Sequence, residues 1–216
     1  MRVLITRPRE QVQPLVDALV ARGFDVVVKP LIRIERLSDE PIDVRGYECV
    51  IVTSPNGARE LARRMTGEPV FVAAIGPGTA AALEEAGVHA NLTADVHTQE
   101  GLLAALPERP GRSLFVGAEG ARSLLADELG ADFLSAYRTV ELDDDELPEA
   151  DLVLLMSPSA ASAYAHAGGR GPAVSIGPQT TSAARAANVE IVAEARSHDL
   201  DGLVDSAAAW RASSRS

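Results

Sequence analysis

The chain holds a single cysteine, Cys49, so no intramolecular disulfide can form, and a small buried hydrophobe is the expected role for it in the strand-like run Tyr47-Glu48-Cys49-Val50-Ile51-Val52. Aromatic residues make up only 4% of the sequence against 46% hydrophobic residues overall. The cores must therefore be built from Val, Leu, Ile and Ala, as in parallel sheets covered by helices. No run of about 18 apolar residues occurs, which excludes a membrane-spanning helix. Positive charge is scarce too: the net charge of −11 and pI near 4.8 set up a field that repels nucleic acid and anionic lipid. Met1 leads directly into Arg2-Val3-Leu4-Ile5-Thr6 without a signal-peptide pattern, and with one thiol the expected compartment is a reducing cytoplasm.

Several catalytic signatures are missing as well. Gly76-Pro77-Gly78-Thr79 lacks the Gly-Lys-Ser/Thr ending of a phosphate-binding loop, and no Gly-x-Gly-x-x-Gly follows the first strand, so nucleotide binding has no support. His89, His97, His166 and His198 are scattered, and with one cysteine they compose no metal site. Ser54 and Ser157 are followed by proline rather than set in a Gly-x-Ser-x-Gly elbow. The acidic run 143–146 reads as a solvated linker rather than a cation site.

What is present is a duplication. Ile75-Gly76-Pro77-Gly78-Thr79-Ala80 returns as Ile176-Gly177-Pro178-Gln179-Thr180-Thr181, each after a short apolar run and before an alanine-rich segment that ends near Gly87 or Asn188. Upstream, Val50-Ile51-Val52-Thr53-Ser54-Pro55-Asn56-Gly57 is echoed by Val153-Leu154-Leu155-Met156-Ser157-Pro158-Ser159-Ala160; downstream, His97 and Gly101-Leu102-Leu103 are echoed by His198 and Gly202-Leu203-Val204. A spacing of about a hundred residues implies two similar α/β halves rather than a solenoid.

Strand and helix patterns alternate along the chain. Residues 2–6 read as a buried strand, Val12 to Val20 as a helix stopped at Gly23, and Phe24 to Lys29 as a second strand. Between Tyr47 and Leu134 the predicted segments are 48–53, 56–65, 70–75, 79–86, 88–92, 98–106, 113–116 and 120–129. Two extended pieces, Leu31 to Glu35 and Ala136 to Glu141, bracket this block. The chain is thus expected to leave one domain, complete another and return: residues 1–33 plus 142–216 form a discontinuous first α/β domain, 37–135 a second, and 34–36 and 136–141 a two-stranded antiparallel linker that acts as a hinge. The end, Arg211 to Ser216, is expected to fray.

The Gly-Pro-x-Thr turns hand a strand to a helix, which puts backbone N–H groups and the positive end of a helix dipole at a sheet's carboxyl edge, where carboxylates or phosphates are received. Gly76, Thr79, Gly177 and Thr180 are the candidates there. Thr53, Ser54 and Asn56, with Ser157 and Ser159, supply hydroxyl and amide groups at two similar junctions. The bland alternative for all these groups is helix capping.

Taken in order, Leu4-Ile5-Thr6-Arg7-Pro8, Thr53-Ser54-Pro55-Asn56-Gly57, Ile75-Gly76-Pro77-x-Thr79, Ala136-Tyr137-Arg138-Thr139, Ser157-Pro158-Ser159 and Ile176-Gly177-Pro178-x-Thr180 resemble the uroporphyrinogen-III synthase family over nearly the whole chain. The resemblance implies two α/β domains on a two-stranded linker with the active site in the cleft, a small-molecule substrate, hydroxymethylbilane, and no cofactor or metal. It implies a cyclisation to uroporphyrinogen III, in heme and tetrapyrrole biosynthesis: hydroxide leaves the terminal hydroxymethyl group, the substituted carbon of ring D attacks the resulting azafulvene, and a spiro intermediate fragments and recloses with ring D inverted. Unaided, the substrate closes to the uninverted isomer, so the protein must position and polarise more than supply strong acids.

By position in the matching motifs, Tyr137 is the catalytic candidate, assisting the departure of hydroxide. Thr79 and Thr180 are expected to hold substrate carboxylates, and Arg7 and Arg138 to pair with them. One departure stands out: where many relatives carry an arginine, this chain has Val116 and Gly117, and Arg122 is the nearby cation. A monomer is expected, with transient contact to the preceding pathway enzyme. Two readings compete: a noncatalytic tetrapyrrole- or anion-binding module of the same fold, and a generic binder of a phosphorylated or carboxylated metabolite, against which the Tyr-Arg-Thr segment counts.

Overall fold

The computed structural model describes residues 1–143 and 146–214; half of the acidic run read as a linker, Asp144 and Asp145, and the last two residues of the tail lie outside them. The chain forms two compact units, one of Met1–Arg33 with Val140–Ser216 and one of Ile34–Thr139.

In chain order, β1 (Arg2–Ile5), a 3-10 turn at Arg9–Gln11, α1 (Gln13–Ala21) and β2 (Asp25–Val28) lead to β3 (Ile32–Arg36). Then come β4 (Ile42–Asp43), β5 (Cys49–Val52), α2 (Pro55–Arg64), β6 (Met65–Thr66), β7 (Val72–Ala74), α3 (Pro77–Glu85), β8 (Leu92–Thr93), α4 (Gln99–Ala105), β9 (Ser113–Ala118), α5 (Leu124–Leu129) and β10 (Asp132–Glu141). The chain returns through β11 (Leu152–Leu155), α6 (Pro158–His166), β12 (Ala173–Ser175), α7 (Pro178–Ala186), β13 (Ile191–Glu194) and α8 (Leu200–Ser213).

In the first unit the sheet order is β13-β12-β11-β1-β2, with every pair parallel. Alternation along the strands sends Val3, Ile5, Leu152 and Leu154 to one apolar layer and Leu4, Val153 and Leu155 to the other. The second unit has the order β3-β10-β9-β5-β7-β8, parallel from β10 to β8. Val50 and Val52 of β5 point to one layer, Cys49 and Ile51 to the other. Each fully buried aliphatic side chain stabilises its layer by about 1.5–3 kcal/mol, which is why so few aromatics suffice. Cys49 is 1% exposed, and burial pushes its thiol up to about 11. No described helix is long and apolar enough to cross a membrane.

The duplicated punctuation has a physical basis. Gly87 and Asn188, which follow the equivalent helices α3 and α7, both adopt positive φ, at 79° and 59°. Glycine and asparagine are the residues that reach this conformation at least cost. The structure departs from the sequence reading at several places. The tail expected to fray from Arg211 is helical to Ser213, because Arg211 donates to Gly23 O and Arg22 O and lies over the Phe24 ring. Met65 leaves the helix predicted to end there and pairs with Ile42, forming a short parallel β4–β6 ladder. The helix predicted over 120–129 starts only at Leu124, because Gly120 at φ 72° holds the chain out of a right-handed helix. The strand predicted from Ala136 begins at Asp132.

Candidate functional site

In the second unit β5 and β7 are parallel neighbours, so α2 and α3 start at the same sheet edge, and a Cβ at Gly78 would lie 4.0 Å from the Pro55 ring. Ser54 is the N-cap of α2: its backbone is extended, Pro55 takes the first helical position, and its Oγ accepts the Gly57 N–H at 3.0 Å.

Tyr137 reaches this cap from β10. The ladder between β10 and β9 slips between Ser135 and Tyr137, leaving Ala136 as an extra residue. Such a bulge re-aims a side chain. Ala136 and Tyr137 are in consequence both packed into the same apolar layer, where simple alternation would send them to opposite faces of the sheet. The Tyr137 hydroxyl lies 2.8 Å from Ser54 Oγ and also hydrogen-bonds the Asn56 side chain. Burial raises the phenol's pKa, and the hydrogen bonds from Ser54 and Asn56 oppose that rise. Three residues from two separated motifs therefore meet at one helix N-terminus. Thr53, half-buried, leads into this cap.

The Gly-Pro turns are arranged differently from the capping reading. Gly76 and Gly177 are the N-caps of α3 and α7, with no side-chain cap, and Pro77 and Pro178 open the helices. Thr79 and Thr180 fall in the first turn rather than at the cap, and both are buried. The capping alternative therefore does not hold for these threonines, since Gly76 and Gly177 occupy the cap positions three residues earlier. A Cβ at Gly76 or Gly177 would come within 2.9 Å or 3.1 Å of the ring of His97 or His198. The sequence marks these imidazoles as members of the repeat and offers only metal ligation as their chemistry; their recurrence at one spacing after each Gly-Pro is the signal for this packing.

In the first unit Ser157 caps α6 by accepting the Ala160 N–H at 3.1 Å, and Ser159 follows in the first turn. Arg7 is half-buried, with its Nη2 donating to Gln11 Oε1 at 2.9 Å. The structure does not bring Arg138 to the Tyr137 hydroxyl: it is exposed and ion-paired to Glu35 at 2.8 Å. Arg122 pairs with Glu100, whose carboxyl is thereby held down at about 2. Position 116, where relatives were expected to place a cation, is fully buried valine. Among the described residues no group of three His, Cys, Asp or Glu side chains could hold a metal ion.

Comparison with known proteins adds an independent line. A family model described as Uroporphyrinogen-III synthase HemD matches residues 13–205. A protein of Methanocaldococcus jannaschii named "Putative uroporphyrinogen-III synthase" is 26% identical over 151 residues, covering 65% of this chain and 63% of that protein. The porphyrin biosynthesis protein HemD of Ruminiclostridium josui is 27% identical over 169 residues, covering 68% of this chain and 31% of that protein. The matched part is thus less than two thirds of either relative's length. A mutant uroporphyrinogen III synthase from Thermus thermophilus superposes over 100% of both chains with a TM-score of 0.62 at 19% identity, which bears on the fold alone.

Proposed function

The chain belongs to the uroporphyrinogen-III synthase family, and on that premise we propose that it cyclises hydroxymethylbilane to uroporphyrinogen III, with loss of one water and inversion of ring D. The observation that carries this reading is the family match over residues 13–205; the phenol at the α2 cap supports it with a group suited to the first step.

The terminal hydroxymethyl C–O bond breaks with its electron pair going to oxygen, which takes the Tyr137 phenolic proton and departs as water. The adjacent pyrrole supplies the electrons that form the azafulvene. Attack by the substituted carbon of ring D gives the spiro intermediate. After fragmentation and reclosure, the proton released as ring D regains aromaticity restores the phenol. A weak acid is adequate because the substrate closes unaided and only the choice of attacking carbon must be biased.

The first turns of α3 and α7, with Gly76, Thr79, Gly177 and Thr180, are the proposed receivers of substrate carboxylates, helped by Thr53, Ser157, Ser159, Arg7 and Arg138. Helix N-termini suit a polyanion on a protein of charge −11. Residues 1–33 with 142–216 and residues 37–135 are proposed as two domains, with 34–36 and 136–141 as linker strands; the bonds from Leu37 N–H to Ala136 O and from Leu142 N–H to Leu31 O support that pairing. The protein is proposed to work as a cytoplasmic monomer.

The test is to supply freshly generated hydroxymethylbilane to the purified protein, oxidise the products and separate the type I and type III isomers. Predominant type III without added metal or cofactor is the expected result. Type I at the spontaneous rate, with folded protein, would overturn the reading in favour of a binding module.

A further inference from the structure

The Ser54 hydroxyl has one proton to give and two lone pairs to receive with. One lone pair is occupied by the Gly57 N–H, which carries the partial positive charge of the α2 N-terminus. Its remaining capacity faces the Tyr137 oxygen at 2.8 Å, and the Asn56 side chain meets the same oxygen. Two polar side chains of one helical turn thus converge on a phenol that is 6% exposed. Ser157, at the matching cap of the other unit, makes the same backbone bond to Ala160. Lys29, Pro30 and Leu31, which follow the strand in the place corresponding to β10, supply no phenol there.

Resting on the proposed function, we infer that Ser54, assisted by Asn56, is a positioning residue for Tyr137: it donates to the phenolic oxygen, leaves the phenolic proton directed at the departing hydroxyl, and stabilises the phenolate once that proton has gone. Ser54 and Asn56 then act through Tyr137 rather than as substrate ligands. When the phenol loses its proton to the leaving oxygen, the charge remaining on Tyr137 is met by the Ser54 O–H, by the Asn56 N–H and by the positive end of α2. A hydrogen bond to a charged group is stronger than one to a neutral group, so the contribution grows as the C–O bond breaks and is spent on the transition state.

The experiment reads Tyr137 directly. Protein labelled with fluorotyrosine, whose phenol titrates within the range where the fold survives, gives fluorine resonances for the three tyrosines, and that of Tyr137 is assigned by its loss in Tyr137→Phe. Ser54→Ala is expected to raise the Tyr137 pKa by about one to two units, the equivalent of one hydrogen bond to a charge. Ser54→Thr keeps a hydroxyl and a cap and is expected to restore the wild-type titration. Ser157→Ala removes a cap of the same kind and is expected to leave it unmoved.

With hydroxymethylbilane, Ser54→Ala is expected to lower kcat about tenfold with KM unchanged, and Ser54→Ala/Tyr137→Phe to be no slower than Tyr137→Phe alone. A Tyr137 titration unchanged in Ser54→Ala, or shifted equally by Ser157→Ala, would overturn the inference. The titration requires no turnover, so a protein that makes no type III isomer yet shows the shift refutes the proposed activity, and with it the catalytic use of the pair, while the hydrogen bond from Ser54 to the phenolic oxygen stands.

Discussion

The caps of α2 and α6 are the same device built twice. Ser54 and Ser157 have φ/ψ of −161°/154° and −161°/158°, each precedes a proline, and each accepts the N–H three residues on. The device at Ser54 carries a buried phenol; the one at Ser157 does not. The first unit has an elaboration of its own: Ser175 Oγ lies 2.5 Å from Thr181 Oγ1, which in turn donates to Glu194. Since the threonine's one O–H is donated to the carboxylate, Ser175 must be the donor to Thr181. The matching positions in the second unit are Ala74, Ala80 and Thr93, two of them without a hydroxyl. Duplication therefore supplied a scaffold, and the halves diverged by placing hydroxyl chains at different points on it, one aimed at a cap and one tying β12, α7 and β13 together.

The sharpest break in that contrast is Tyr137→Phe, which keeps the ring's packing and removes the hydroxyl. Turnover is expected to fall ten- to a hundredfold with the thermal midpoint little changed; full activity would strip the second unit of its distinction. Next, Thr181→Ala makes the first unit resemble the second and leaves Ser175, which is 0% exposed, without its partner. Urea unfolding should show a loss of about 1–3 kcal/mol, with no effect on the Tyr137 titration.

A smaller effect is expected from Gly57→Ala, which copies Ala160 of the first unit. The new Cβ would lie 3.2 Å from both Ser54 Oγ and Val116 O, so the cap must shift by a few tenths of an ångström. A fall in kcat of about two- to fivefold, equivalent to 0.5–1 kcal/mol, should accompany it.

The least is expected from Glu100, beside the α4 cap, whose carboxyl the hydrogen bond from Arg122 lowers from 4.5 to about 2. A carboxyl held down by folding stabilises the native state above its unfolded pKa and loses that contribution as pH falls through the folded one. Wild type and Glu100→Gln should accordingly differ slightly in denaturant midpoint at neutral pH and converge as pH drops from about 4.5 towards 2; the pair is exposed, and solvent screening keeps the difference small.

Much of this is legible in the sequence alone. The turns at Gly76-Pro77 and Gly177-Pro178, the caps at Ser54 and Ser157 and the stops at Gly87 and Asn188 are local, and local chemistry writes itself into short runs of sequence. The meeting of Tyr137 with Ser54 and Asn56 could be suspected only through the family resemblance, because it depends on a ladder slip at Ala136 and on a strand starting at Asp132, both set by pairing with β9 rather than by any pattern within β10. The β4–β6 ladder was invisible for the same reason: two residues on each side carry no periodicity. The burial of Thr79 and Thr180 was hidden because a residue three places into a helix faces wherever the helix packs.

Cys49 sits at the start of β5, the strand that ends at the Ser54 cap, and the chain has no second thiol. An alkylating reagent at neutral pH finds little thiolate there and no path to it while the sheet is closed. Modification must wait for an excursion that lifts β5 out, so the rate of labelling counts the excursions of that one strand. A ligand held at the α2 cap would slow the count by the factor with which it favours the closed sheet, and occupancy of the site could be followed with a reagent that never touches it.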